Sequence, residues 1–188
     1  MHIYLHIPFC KQACYYCDFH FSTSLSQKEA VVEAICQEIR LQKSYLKNTH
    51  ISTIYFGGGT PSILDETSLE TIFSTLHQIF TILPDAEITL EANPDDISEE
   101  KLAIFKKFGI NRLSIGIQSF HEPHLKQMNR AHNAEEAETC VKLAQNAGID
   151  NITIDLIYAI PAPDHQILYS DLAKVEALNL QHVSAYCL

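Results

Sequence analysis

Six short runs of β-branched and apolar residues, at 2–7, 51–56, 87–92, 112–117, 152–157 and 182–187, recur along this 188-residue chain with mostly helix-like stretches between them. Strands that alternate with helices must run parallel, because each connection has to cross back over the sheet, and such crossovers are right-handed. Ser26-Gln-Lys-Glu29 has the spacing of a capping box and predicts a long helix to about residue 46. Leu69, Ile72, Phe73, Leu76 and Ile79 fall at helical spacing within 67–83. A third helix over 98–108 opens on Ser98 as cap and closes at Gly109, a fourth over 133–147 closes at Gly148, and 166–178 carries one apolar stripe. The class is α/β. Periodicity alone leaves open a doubly wound sheet or an incomplete barrel.

No linker or low-complexity segment divides the units, and the length suits one domain. The chain stops at the end of the sixth strand, without the helix that would cover it, so it is expected to be truncated there or completed by further protein. With 46% hydrophobic and 19% charged residues it is expected to be globular. A net charge of -10 repels phosphate and anionic lipid, which argues against nucleic acid and membrane surfaces as partners. The N-terminus has no signal-peptide pattern, and no apolar run reaches the length of a transmembrane segment.

Cys10-Lys-Gln-Ala-Cys14-Tyr-Tyr-Cys17 places three thiols directly after the first strand and Pro8. Three thiolates can hold a [4Fe-4S] cube while leaving one iron open to a small molecule, whereas a cluster that only carries electrons normally takes a fourth cysteine. The same three thiolates with a water would also suit zinc. Cys36, Cys140 and Cys187 are scattered and read as buried small hydrophobes, which points to the reducing cytoplasm. The histidines other than His2 and His6 show no H-x-x-x-H spacing, which argues against a zinc enzyme.

Polar or glycine-rich residues follow each strand and would share one rim. Gly57-Gly-Gly-Thr60-Pro61 lets backbone approach a ligand closely, without the pattern of a phosphate loop. Glu91 sits in an apolar strand and needs a donor, either a ligand amine or hydroxyl or a buried partner such as Arg112. Gln118 brings an amide and Asp155 a second carboxylate to the rim. Arg130 can either clamp a ligand carboxylate or remain solvated. His2, Tyr4 and His6 share one face of the first strand, while Phe9, Tyr16 and Phe19 are read as covering the cysteine loop or anchoring it.

These residues resemble the radical S-adenosylmethionine superfamily, whose signature is C-x3-C-x2-C with an aromatic before the last cysteine. His6-Ile-Pro-Phe-Cys10, Gly57-Gly-Gly-Thr-Pro-Ser62, Glu91-Ala-Asn-Pro94, Asn111-Arg-Leu-Ser-Ile-Gly-Ile-Gln-Ser-Phe120, Met128-Asn-Arg-Ala-His132 and Asp155-Leu-Ile-Tyr158 are similar to the oxygen-independent coproporphyrinogen III oxidase family. The resemblance implies a partial TIM-like (β/α)6 radical SAM barrel over 1–188, truncated after the sixth strand, with the family's C-terminal domain absent. It implies a [4Fe-4S] cluster on Cys10, Cys14 and Cys17, with S-adenosylmethionine on the fourth iron. Gly58, Gly59 and Thr60 would contact the methionine portion, and Tyr4, Tyr16, Glu91, Gln118, Arg130 and Asp155 would surround the same cofactor. A reduced flavodoxin- or ferredoxin-like donor would supply the electron that cleaves the sulfonium.

Two departures from the family pattern matter. Asp18-Phe19 stands where the dehydrogenases have Gly-Cys, and this version is similar to the haem chaperone branch, implying haem and a haem-accepting protein as partners of the full-length form. Ala159 stands where the pattern favours glycine.

Overall fold

In the computed structural model, which describes residues 1–46 and 48–188, six strands form one sheet. They are β1 (His2–Ile7), β2 (His50–Gly58), β3 (Thr81–Ala92), β4 (Arg112–Gln118), β5 (Asn151–Tyr158) and β6 (His182–Cys187). Their spatial order is their chain order, and every neighbouring pair is parallel. A doubly wound sheet reverses direction midway and this one does not, which selects the partial barrel. Helices α1 (Lys28–Leu41), α2 (Glu66–Ile79), α3 (Glu99–Lys107), α4 (Glu122–Gln127), α5 (Ala134–Asn146) and α6 (Gln166–Ala177) complete the units.

Each strand alternates, and the alternation separates two environments. Leu5, Ile7, Ile54, Phe56, Leu90, Leu113, Ile115, Ile152 and Ile154 are buried in one cluster with Leu69, Phe73 and Leu76 of α2, Leu102 and Phe105 of α3, and Val141 of α5. Successive side chains point to opposite faces, so Tyr4, His6, Tyr55, Thr89, Glu91, Arg112, Ser114, Thr153 and Asp155 all share the other face. The sheet therefore carries an apolar layer under its helices and a polar concave side. Among the described residues β6 pairs with β5 alone, and it is largely exposed.

Several expected boundaries move. The capping box at Ser26 is not formed: the Ser26 hydroxyl bonds Ser24 Oγ at 3.0 Å and the helix starts at Lys28. That helix ends at Leu41 and continues only as a short 3-10 turn over Gln42–Ser44. The second helix stops at Ile79 instead of running to 83, because Thr81 and Ile82 pair with His50 and Ile51. Strand hydrogen bonds there replace one further helical turn. Its start is fixed by Asp65, whose carboxylate accepts from Ser68 N at 2.8 Å. Burial would raise that carboxyl, but Lys28 and the Ser68 amide hold it at about 2.

Ser98 caps α3 as expected, and Asn133 forms a full capping box with Glu136 at the start of α5. Gly109 and Gly148 close α3 and α5 in left-handed conformations, φ 75° and 82°. The short helix α4 was not anticipated; its apolar face, Leu125 and Met128, packs with Ile157, Ile160 and Tyr16 in a separate small cluster beside the cysteine loop. Cys36 and Cys140 are buried as expected, whereas Cys187 is exposed because it lies on the uncovered β6.

Candidate cofactor site at the sheet rim

The loop carrying Cys10, Cys14 and Cys17 leaves β1 at the C-terminal edge of the sheet. Phe9 is buried and roots its first arm, and Cys10 N donates to Ser22 O at 3.0 Å while Ser22 N returns to Pro8 O at 2.9 Å. All three cysteines are partly exposed. Burial pushes the Cys10 thiol up, opposed by a hydrogen bond from Thr60. Among the described residues, no three His, Cys, Asp or Glu side chains converge closely enough to hold one metal ion.

The aromatic residues around the loop divide. Tyr16 is half-buried against the α4 cluster, and burial pushes its hydroxyl well above the ordinary tyrosine range. Phe19 is 77% exposed and neither covers the loop nor anchors it. Tyr4 lies stacked on Tyr55 with ring centroids 6.0 Å apart, and its hydroxyl meets His6 Nδ1 at 3.1 Å.

Gly57, Gly58 and Gly59 are required by the protein itself. A Cβ at Gly57 would stand 2.9 Å from the Tyr4 and Tyr55 rings, and one at Gly59 would stand 2.5 Å from Phe9 O. Gly58 has φ 117°, where only glycine is unstrained. The N–H of Gly58 donates to Glu91 Oε2 at 3.1 Å, that of Gly59 to Ile7 O at 2.8 Å and that of Thr60 to Phe9 O at 2.7 Å. All three donors are therefore engaged within the protein.

Glu91 finds its donors in Tyr55, whose hydroxyl is 2.7 Å from Oε1, and in Gly58. The alternative partner Arg112 instead donates to Thr89 Oγ1 at 3.2 Å and Thr153 Oγ1 at 2.7 Å. Burial pushes the Glu91 carboxyl up and the Asp155 charge adds to that; burial likewise raises Asp155, opposed by Ser184 and Arg130. Tyr55 escaped sequence reading, although its place in the strand alternation was the available signal.

Arg130 differs from expectation. Its Nη1 donates to Cys14 Sγ at 3.2 Å and Tyr16 Oη at 3.1 Å, and its Nη2 donates to Asn93 Oδ1 and Gly116 O, both at 2.7 Å. A bidentate clamp on a ligand carboxylate would need those terminal donors, and they are engaged. Only Nε remains, buried and without a partner. Gln118 is buried in a left-handed conformation, φ 69°, and folds its amide over Gly116, where a Cβ would meet it at 2.9 Å. Ala159 has φ 63°, which explains why glycine is favoured at that position and what the methyl group costs, about 1 kcal/mol.

His132 lies beneath the site with Nε2 3.1 Å from Ile117 O and Nδ1 buried without a partner. Burial, then repulsion from Arg130, lowers it from 6.5 to about 4. The unfolded chain therefore binds this proton more readily, so the neutral ring's stabilisation is present above about 6.5 and lost as pH falls towards 4. The expected loss is about 3 kcal/mol. Denaturant unfolding of wild type and His132→Gln across that window checks it: the wild-type slope should flatten in the variant, and equal slopes would assign it to another group.

Six parallel strands in chain order, with a three-cysteine loop and converging polar side chains at their C-terminal rim, define a cofactor-binding partial α/β barrel. Residues 4–169 match the radical SAM superfamily model, and the chain belongs to that superfamily. Membership of that superfamily implies a [4Fe-4S] cluster and S-adenosylmethionine as cofactors. The chain is 37% identical to the heme chaperone HemW of Lactococcus lactis over 98% of its own length and 48% of that protein's. It is 34% identical to HemW of Escherichia coli over 98% of itself and 49% of the relative, so it spans about half the length of the curated relatives it matches. The solved coproporphyrinogen III oxidase HemN of Escherichia coli superposes with TM-score 0.89 at 30% identity, over 98% of this chain and 43% of that one. TsrM of Kitasatospora setae, solved with cobalamin and a [4Fe-4S] cluster, shares the fold with TM-score 0.69 at 13% identity, over 99% of this chain and 34% of that one.

Proposed function

We propose that this chain is the radical SAM core domain of a haem chaperone. Cys10, Cys14 and Cys17 hold the cluster, and Tyr4, Tyr16, Gly58, Gly59, Thr60, Glu91, Gln118, Arg130 and Asp155 form the surrounding cofactor site. When bound, the cluster and S-adenosylmethionine supply one-electron reductive chemistry. The residues of this chain bind and orient. Carbonyl oxygens along 57–59 suit an ammonium group, since the N–H groups of Gly58, Gly59 and Thr60 already donate within the protein. Glu91 and Asp155 offer carboxylate oxygens to hydroxyl groups, and the Arg130 Nε provides a single charge-assisted donor. Tyr16 and Arg130 restrict water on the Cys14 side.

The observation that carries the choice of chaperone is Asp18-Phe19 directly after Cys17, supported by the likeness to proteins named heme chaperone over nearly the whole chain. Haem contacts and the haem-accepting respiratory protein would belong to the full-length form, with a reduced flavodoxin- or ferredoxin-like protein as electron donor. No helix among the described residues is long and apolar enough to cross a membrane, and the proposed setting is the cytoplasm. The second reading, coproporphyrinogen III dehydrogenase, is favoured by the HemN superposition.

The test incubates full-length protein, reduced and with S-adenosylmethionine, under strict anoxia, in one arm with coproporphyrinogen III and in the other with haem and a haem-requiring acceptor protein. Haem binding and transfer to an acceptor without carbon dioxide release is the expected result. Protoporphyrinogen formation with carbon dioxide release would overturn the choice.

A further inference from the structure

α4 ends in a backbone motif used elsewhere in this fold. Asn129 is left-handed, φ 56°; its N–H donates to Lys126 O at 3.1 Å, and Arg130 N donates to Leu125 O at 2.9 Å. The same pair of bonds closes α3 at Gly109 and α5 at Gly148, where no side chain is involved. The backbone at 129 is therefore satisfied by glycine. What asparagine adds is its side chain, and that side chain reaches the cysteine loop.

Asn129 Nδ2 donates to Ala13 O at 2.8 Å, and Gln12 Nε2 donates back to Asn129 Oδ1 at 2.8 Å and to Asn129 O at 2.9 Å. One residue earlier, Met128 O accepts from Tyr15 N at 3.1 Å. One residue later, Arg130 bonds Cys14 Sγ. On the other flank, Lys11 bonds Asp95 at 2.8 Å and pairs with buried Asp96, whose carboxylate accepts from Ser62 Oγ at 2.5 Å. The stretch between Cys10 and Cys14 is thus held on both sides, although loops of this kind lack ladder bonds of their own.

We propose that Asn129 is a positioning residue for the iron–sulfur cluster: its amide clamps Gln12 and Ala13 and so holds Cys10 and Cys14 at the separation the cube requires. The inference rests on the cluster reading above and adds to it the residue that preorganises the ligand loop. Asparagine is suited to both tasks, since it tolerates the left-handed conformation and carries one donor and one acceptor on the same short side chain.

The experiment compares Asn129→Gly, Asn129→Asp and Gln12→Met with wild type after anaerobic reconstitution with iron and sulfide. Asn129→Gly keeps the helix end and the carbonyl that Gln12 uses but removes both side-chain bonds. Asn129→Asp keeps the acceptor and sets a carboxylate against Ala13 O. Iron loss to a chelator should be roughly tenfold faster in both Asn129 variants. The apo-protein melting temperature should be unchanged in Asn129→Gly. The change that S-adenosylmethionine makes in the EPR signal of the reduced cluster should be diminished. Combining Gln12→Met with Asn129→Gly should add less than the two separate effects, since they share bonds. Release within twofold of wild type in both Asn129 variants would overturn the inference, as would faster release accompanied by an equal loss of apo-protein stability. A wild-type chain that takes up no cluster would overturn the cluster reading itself, a result distinct from either.

Discussion

Replacing Cys10, Cys14 or Cys17 singly by alanine is expected to abolish the iron–sulfur cluster. Reconstituted wild type should hold about four iron and four sulfide per chain. Each cysteine variant should fall close to zero, because three protein thiolates support the cube and none is spare. The remaining thiols cannot stand in. Cys36 is buried on α1 with Sγ 3.6 Å from Thr71 O, and Cys140 is buried on α5, where burial pushes its thiol to about 12. Cys187 lies on β6, the strand at the far edge of the sheet from β1. Alanine at any of these three should leave the cluster intact. Iron and sulfide analysis with the EPR spectrum of the reduced protein checks both halves. Stoichiometric zinc in place of an iron–sulfur species would sink the reading.

Arg130→Ala should be the most disruptive change at the rim outside the cysteines. The guanidinium binds Cys14, Tyr16, Asn93 and Gly116, which come from the cysteine loop, the end of β3 and the middle of β4. Truncation removes the donors to the Asn93 and Gly116 oxygens and the charge beside Cys14 and Tyr16. The expected loss is about 3–5 kcal/mol of folding stability, together with weakened cluster retention. Lysine keeps the charge but lacks the planar fork that reaches acceptors in two directions, so Arg130→Lys should recover only part of the stability. Chemical denaturation of the apo-protein alongside iron content measures the two effects separately. A variant within 1 kcal/mol of wild type that retained its iron would show that the loop is held elsewhere, with the Asn129 and Lys11 contacts as the next candidates.

The legible part of the site followed from covalent spacing. Three cysteines within eight residues declare metal chemistry wherever the chain places them, and Glu91 and Asp155, charged within apolar strands, had to face something polar. The partners of those groups were not legible. Tyr55 lies 36 residues before Glu91, and Arg130 lies 116 residues beyond Cys14. Nothing in local spacing announces that two such residues will meet. A single side chain such as Arg130 does not reveal in the sequence that residues from other loops take its terminal donors.

By itself the sequence determined the order of strands and helices, the class of the fold, the face of each strand that is polar, and the loop that carries the thiols. These are local properties, set by side-chain periodicity and by backbone residues such as Gly58, Gly109 and Gly148. Only the tertiary structure decided that the strands run side by side without reversal, that α2 yields to β3 at Phe80, and that a short α4 places Asn129 and Arg130 against the cysteine loop. Each of those outcomes is a competition between hydrogen bonds available locally and hydrogen bonds offered by residues distant in the chain. The winner depends on which groups packing brings within about 3 Å, and that proximity has no counterpart in a one-dimensional pattern.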